Sequence, residues 1–214
     1  MRIEITKTIT MIKAGPEIFR PLSAYARTDY VQKARKEFSC SDSSDHFIDP
    51  VIYGFVHFAL INLNENIAQK RVLHLACNWA PYLHYLKTVH SVNEFGVDVD
   101  PRAVKFAREH GNLNVIAASA LQLPFKDDFF DLIISHNFLD PHYLDLKVGL
   151  GLDDIFIWKT LNEAHRVLMP GGSFFSSGEL VPEHIINASN FSSLMEIRTG
   201  MEEKFIYNLK MLVK

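Results

Sequence analysis

His136, Asp140, His142 and Tyr143 fall within one short run, SHNFLDPHY. These are the acid–base candidates. They follow an apolar run, FDLIIS at 130–135, so they stand where a buried strand ends. A second chemical group is Asp98, which closes the run EFGVD and precedes a helix-patterned stretch. A carboxylate so placed can accept both hydroxyls of a ribose. Asp100, just before Pro101, is better suited to capping that helix. A third group is the small-residue run ACNWA at 76–80, which follows the apolar run at 72–75. Strand, tight loop, helix, strand, acid is the order of a nucleotide-type site. The two histidines and Asp140 also raise a metal site. They sit on a loop without helical spacing and without a cysteine, so none is expected.

The elements that must position these groups follow from periodicity. The apolar runs at 72–75, 94–97, 114–118 and 130–135 read as buried parallel strands. Tyr82, Leu83, Leu86 and Val89 recur at helical spacing after Pro81. A long helix is expected over 155–168, capped by Asp153 and stopped by the Pro170-Gly171-Gly172 turn, with a fifth strand at 173–177. A short helix is expected within 178–190. Two strands, 194–198 and 205–213, should close the sheet as an antiparallel hairpin spanning 194–213. Upstream, 1–13 alternates in polarity and reads as a short strand or extended arm. Residues 17–38 are helical with a break near 27–29, where Asp29 could cap the second piece. Residues 39–45 form a polar loop, 50–64 a strongly apolar helix, and 149–151 a turn.

The chain has 214 residues, 48% of them hydrophobic and 22% charged, enough for one ordinary globular unit with a real core. A net charge of −3 gives no global positive field, so a nucleic-acid substrate is disfavoured. Two cysteines far apart, Cys40 and Cys77, make neither a metal spacing nor a disulfide framework. No membrane span or signal segment is read, and a cytoplasmic location is the expectation.

The run 72–80 resembles the first motif of the Rossmann-like (class I) S-adenosylmethionine-dependent methyltransferases, roughly V-L-D-L-G-C-G-x-G. On that alignment the family acid falls on His74, the three glycines on Ala76, Asn78 and Ala80, and the cysteine on Cys77. GVDVDP at 96–101 resembles the second motif, whose acid grips the cofactor ribose. SALQLPFKD at 119–127 resembles G-D-A-x-x-L-P-F-x-D, with Ser119 where the family acid contacts the adenine amino group. EAHRVLMPGG at 163–172 resembles E-x-x-R-V-L-K-P-G-G and is the most specific match. The Asn-Pro-Pro-Tyr type motif of methyltransferases acting on nucleic-acid amino groups is absent, since Phe138 follows Asn137.

The resemblance implies a three-layer, doubly wound α/β fold with a mostly parallel seven-stranded sheet. An N-terminal arm and helical cap would occupy 1–64 and the Rossmann-like domain 65–214. The implied cofactor is S-adenosylmethionine, with S-adenosylhomocysteine as product. The cofactor set would be His74, Ala76, Cys77, Asn78, Ala80, Asp98, Val99, Ser119, Ala120 and Ser135. His136, Asp140, His142 and Tyr143 remain the acid–base set. In the family such a cap closes over the cofactor, so Tyr25, Tyr30 and Tyr53 either face the ligand or form cap core, core being the stronger reading. The expected activity is methyl transfer to a small molecule or an exposed protein group. The alternative is a non-catalytic protein of the same fold, favoured by the loss of the three glycines and of both acids. A homodimer is left open. A dinucleotide-dependent dehydrogenase is disfavoured, because residues 76–80 give a pyrophosphate poor backbone access.

Overall fold

The computed structural model describes residues 6–13, 20–38, 66–111, 113–136, 138–139, 153–177, 181–200 and 207–214. The expected helix over 50–64 with Tyr53, the polar loop at 39–45 and the turn at 149–151 lie outside them. In chain order the strands are β1 (Thr6–Lys13), β2 (Arg71–Leu75), β3 (Asn93–Asp98), β4 (Asn114–Ala117), β5 (Phe130–His136), β6 (Leu168–Ser177), β7 (Ser193–Gly200) and β8 (Tyr207–Val213). The helices are α1 (Arg20–Tyr25), α2 (Asp29–Glu37), α3 (Pro81–His90), α4 (Pro101–Gly111), α5 (Asp153–Val167) and α6 (Glu183–Ala188). Among the described residues, no helix is long and apolar enough to cross a membrane.

The strands form one sheet in the order β1-β7-β8-β6-β5-β2-β3-β4. Only β8 runs antiparallel among the described strands, and it pairs with both β6 and β7. The hairpin expected over 194–213 is therefore present. Among the described residues the sheet has eight strands, one more than expected. The extra one is β1, which lies parallel along β7 from Thr6↔Ser193 to Lys13↔Gly200.

Strand alternation splits the core into two layers. Val72, Leu132, Ile134 and Phe175 point to one face, where they meet Tyr82, Leu83 and Leu86 of α3, Ala103 and Val104 of α4, and Val31 and Ala34 of α2. Leu73, Leu75, Ile133 and Phe174 point to the other, against Ile157, Leu161 and Ala164 of α5 and Ile185 of α6. Because helices cover both faces, the central strands read as continuous apolar runs.

Two local expectations change. The break in the N-terminal helices falls at 26–28, and Thr28, not Asp29, is the N-cap residue of α2. Its side chain makes no capping bond. The Pro170-Gly171-Gly172 run does follow the end of a helix, yet it belongs to β6. Pairing jumps from Phe130↔Leu168 to Leu132↔Ser173, so the run bulges out of the ladder. Gly171 takes φ +78, where a side chain would be strained. The bulge is held by the chain end: Gly171 N–H donates to the Lys214 carbonyl (3.2 Å) and Lys214 N–H to the Gly172 carbonyl (3.1 Å).

Candidate functional site

The strand order reverses between β2 and β5. After β2 the chain moves outward to β3 and β4, then crosses back to β5 on the other side of β2. In open α/β sheets a ligand lies outside the carboxyl ends of the strands at such a switch point. Residues 76–80, Asp98 and His136 all sit at this end.

The loop at 76–80 keeps a glycine-type backbone without glycine. Ala76, Asn78 and Ala80 have φ of 50°, 52° and 56°. These are the three positions where the resembling motif has glycine. Left-handed backbone costs a non-glycine residue roughly 1–2 kcal/mol, least for Asn, so something must hold the loop. Cys77 N–H donates to the Val97 carbonyl (3.1 Å) and Ala80 N–H to the Cys77 carbonyl (2.7 Å). Asn78 N–H donates to Asp98 Oδ2 (2.7 Å), and Trp79 N–H to the Asn78 side-chain oxygen (2.8 Å). The Tyr30 hydroxyl of α2 donates to the Trp79 carbonyl. β3 also comes close beneath. A Cβ at Gly96 would sit 2.8 Å from Cys77 Sγ and 2.9 Å from a Leu83 methyl, so this strand position needs glycine.

Burial sorts the expected cofactor set. Ala76, Asn78 and Asp98 are half-buried, and Val99 and Ser119 are exposed. His74, Cys77, Ala80, Ala120 and Ser135 are buried. The Ala80 methyl and the Trp79 indole therefore do not crowd the open side of the loop. Trp79 packs into the core against Tyr30 and Phe106, with ring centroids 5.8 and 6.4 Å away. Tyr25 and Tyr30 are buried in the same core cluster. Tyr30 stacks on His84 at 4.1 Å, and the Tyr25 hydroxyl shares a 2.8 Å hydrogen bond with His84 Nδ1. His74 is buried on β2 with its ring edge-on to Tyr82. Burial, and next the neighbouring His136, lowers its pKa to about 3, so it is neutral at physiological pH.

Asp98 has two tasks. Its Oδ2 accepts the Asn78 N–H, and its Oδ1 accepts the Asp100 N–H at 2.9 Å. A carboxylate offers about four acceptor sites, so roughly one remains on each oxygen, the count a vicinal diol needs. Asp100 caps α4 as expected: its Oδ1 accepts the Arg102 N–H at 2.9 Å. The Arg102 guanidinium on the same carboxylate holds it below the usual range. Beside Asp98, the Ala118 N–H donates to the Asp98 carbonyl (3.0 Å), which draws the segment after β4 alongside. Val99 there is 74% exposed and Leu121 37%, both large apolar side chains open to a ligand. The Ser119 hydroxyl accepts the Leu121 N–H at 3.2 Å and keeps its own proton and a second lone pair.

Of the acid–base set only His136 falls among the described residues; Asp140, His142 and Tyr143 do not. His136 ends β5, directly beside Ser177 at the end of β6. His136 Nδ1 and Ser177 Oγ are 2.8 Å apart, and Ser177 Oγ reaches the Ser135 carbonyl at 3.4 Å. Sequence reasoning missed Ser177. The signal was present in the register: two parallel neighbouring strands that both end in a polar residue bring those residues side by side.

The Glu163–Arg166 motif does its work at the segment after β4. The Arg166 guanidinium donates to Glu163, to Asp127, and to the carbonyls of Leu123 and Phe125. Glu163 in turn accepts the Leu123 N–H at 2.8 Å. Arg166, first among the causes, holds the Glu163 carboxyl below the usual range.

Residues 73–176 match the family described as "Methyltransferase domain". A demethylmenaquinone methyltransferase from Geobacillus kaustophilus is 32% identical over 112 residues, which are 48% of this chain and 42% of that protein's length. The matched region thus spans less than half of that relative. TrmN from Thermus thermophilus superposes with a TM-score of 0.54 at 21% identity, covering 73% of this chain and 47% of that one. A TehB-like S-adenosylmethionine-dependent methyltransferase from Corynebacterium glutamicum gives 0.53 at 16% identity, over 73% and 85%. At those identities the two structures carry the fold alone. The motifs, the strand order and the family match agree in likening residues 73–176 to the class I, Rossmann-like methyltransferases, whose implied cofactor is S-adenosylmethionine.

Proposed function

We propose that the chain binds S-adenosylmethionine at the carboxyl ends of β2, β3 and β4 and methylates a small molecule, releasing S-adenosylhomocysteine. The observation that carries this reading is the left-handed backbone at Ala76, Asn78 and Ala80, set over an Asp98 carboxylate with acceptor capacity to spare. A decayed site has no reason to keep three strained torsions at those positions. Asp98 would hold the ribose hydroxyls. Val99 and Leu121 would cover the adenine, and Ser119 would accept from its amino group. Ala76 and Asn78 would face the methionine portion.

Bound there, S-adenosylmethionine supplies an electrophilic methyl group on a sulfonium. The chain's own residues must then place an acceptor in line and remove its proton. His136 at the end of β5 is the base we assign, with Asp140, His142 and Tyr143 as further acid–base groups of the same loop. Neutral His74 adds no positive charge beneath a cationic ligand. A small acceptor is also in keeping with the activity that the demethylmenaquinone methyltransferase relative is named for. In this reading residues 1–64 serve as arm and cap to the domain at 65–214.

The test is transfer of a labelled methyl from S-adenosylmethionine to a panel of phenols, quinols, amines and thiols, with the protein fraction counted separately. Label in a small-molecule product is expected. Label confined to protein, or none while the cofactor binds, contradicts the proposal.

A further inference from the structure

We infer that Tyr30 of α2 is a positioning residue for the cofactor: by holding the Trp79 carbonyl it keeps the 79–80 peptide in its binding orientation, and so links the docking of α2 to cofactor affinity. The inference rests on the reading of residues 76–80 as the cofactor loop and deepens it. Ala80 takes φ 56°, a left-handed torsion that strains an alanine. The peptide unit is planar, so turning the 79–80 peptide over changes only ψ of Trp79 and φ of Ala80. Such a turn would take Ala80 out of the left-handed region. Two hydrogen bonds oppose it, one at each end of the peptide. The Ala80 N–H donates to the Cys77 carbonyl at 2.7 Å, within the loop. The Trp79 carbonyl accepts the Tyr30 hydroxyl, from outside it. The direction of that second bond is fixed, because a carbonyl has no proton to give. Burial, and next the neighbouring Cys77, pushes the Tyr30 pKa up, so the hydroxyl keeps its proton.

Tyr30 is itself held by the helices around it. Its ring is buried, stacks on His84 of α3 at 4.1 Å and tilts against Phe106 of α4 at 5.5 Å. α3 starts at Pro81, where the loop ends. The hydroxyl of a residue wedged against both helices therefore sets the last peptide of the loop. Without that hydroxyl the turned peptide becomes populated, and the cofactor binds only the fraction that remains unturned. Linkage makes the effect reciprocal. Whatever docked α2 adds to cofactor affinity, bound cofactor adds to the docking of α2.

The experiment is calorimetric titration of S-adenosylhomocysteine into the parent, Tyr30→Phe and Val31→Ala. Val31 is fully buried on the same helix and has no polar side-chain atom to offer the loop. Tyr30→Phe should weaken binding about fivefold. Val31→Ala should weaken it less than twofold, although it destabilises the fold at least as much. Amide exchange at residues 32–38 is the second readout. Saturating S-adenosylhomocysteine should slow it in the parent, and slow it less in Tyr30→Phe at equal occupancy. Equal affinity of the parent and Tyr30→Phe overturns the inference. So does an equal loss in Tyr30→Phe and Val31→Ala, which would make Tyr30 a packing residue alone. So does exchange in α2 that the ligand slows as much in Tyr30→Phe as in the parent. A parent that binds no S-adenosylhomocysteine overturns the cofactor reading itself, a result distinct from binding that ignores Tyr30.

Discussion

Two loops flank the carboxyl end of the sheet, and they are held in different ways. The segment after β4 is held by one ion-paired fork. Arg166 and Glu163 on α5 clamp the backbone of Leu123 and Phe125 and the carboxylate of Asp127. The loop at 76–80 is held in left-handed torsions through its own backbone groups, which bond to the main chain at Val97 and Cys77 and to the side chains of Asp98, Asn78 and Tyr30. The difference accounts for a resemblance carried by residue identities in one motif and by torsions in the other. A guanidinium fork has no substitute among side chains, so the segment after β4 needs Glu163 and Arg166 themselves. A torsion can be reached by glycine without strain or by Ala and Asn at a cost, so long as other groups hold it.

The largest effect should come from the segment held by the fork. Arg166→Ala removes every bond of the fork and takes a charged donor from the part-buried carbonyls of Leu123 and Phe125. We expect a loss of about 3 kcal/mol in denaturant unfolding, with Arg166→Lys recovering less than half of it. Full recovery by Lys would show that charge alone holds the segment.

The next effect probes the strand that leads into the other loop. His74 is buried and neutral, with its pKa lowered to about 3 from an ordinary 6.5. The unfolded chain therefore binds more protons between those values, and stability must fall as pH drops through that window. Relative to pH 8, about 2 kcal/mol should be lost at pH 5 through this group. His84, His90 and His165, also lowered by burial, act in the same direction. Comparing the parent with His74→Leu isolates the His74 share; parallel pH–stability curves would remove it.

Smaller effects test the backbone-held loop itself. Tyr30→Phe deletes the hydroxyl on the Trp79 carbonyl and should cost about 1 kcal/mol, with faster amide exchange at residues 78–80. Unchanged exchange there would mean that α2 does not hold the loop. Ala76→Gly should act oppositely and raise stability by roughly 0.5–1 kcal/mol, because relief of the left-handed torsion exceeds the added chain entropy. A loss of stability would show that the Ala76 torsion carries no strain.

Much of this fold was legible in the sequence because buried parallel strands leave continuous apolar runs, and because Pro81, Asp100-Pro101 and Pro170-Gly171-Gly172 mark their neighbours' ends. The eighth strand was less legible: residues 6–13 alternate in polarity, but nothing in that pattern says which strand it joins. Of the candidate site, the sequence offers the groups whose chemistry stands out, Asp98 and His136, but not the geometry around them. The sequence cannot say that the Ala80 methyl and the Trp79 indole turn into the core, so the loop looked more crowded than it is. Nor can it say that Asp98 spends half of its acceptor capacity on Asn78 and Asp100. Asp98→Ala should therefore lower stability as well as cofactor affinity.

The central claim is that a loop without glycine still presents a glycine-type backbone to the cofactor. Calorimetric titration of S-adenosylhomocysteine into the parent and into the triple variant Ala76→Gly, Asn78→Gly, Ala80→Gly tests it most directly. The account predicts that the parent binds with a Kd well below 1 mM, tighter than about −4 kcal/mol, and that the triple variant differs by less than about tenfold. A parent that shows no binding at millimolar ligand, beside a triple variant that binds, would contradict it.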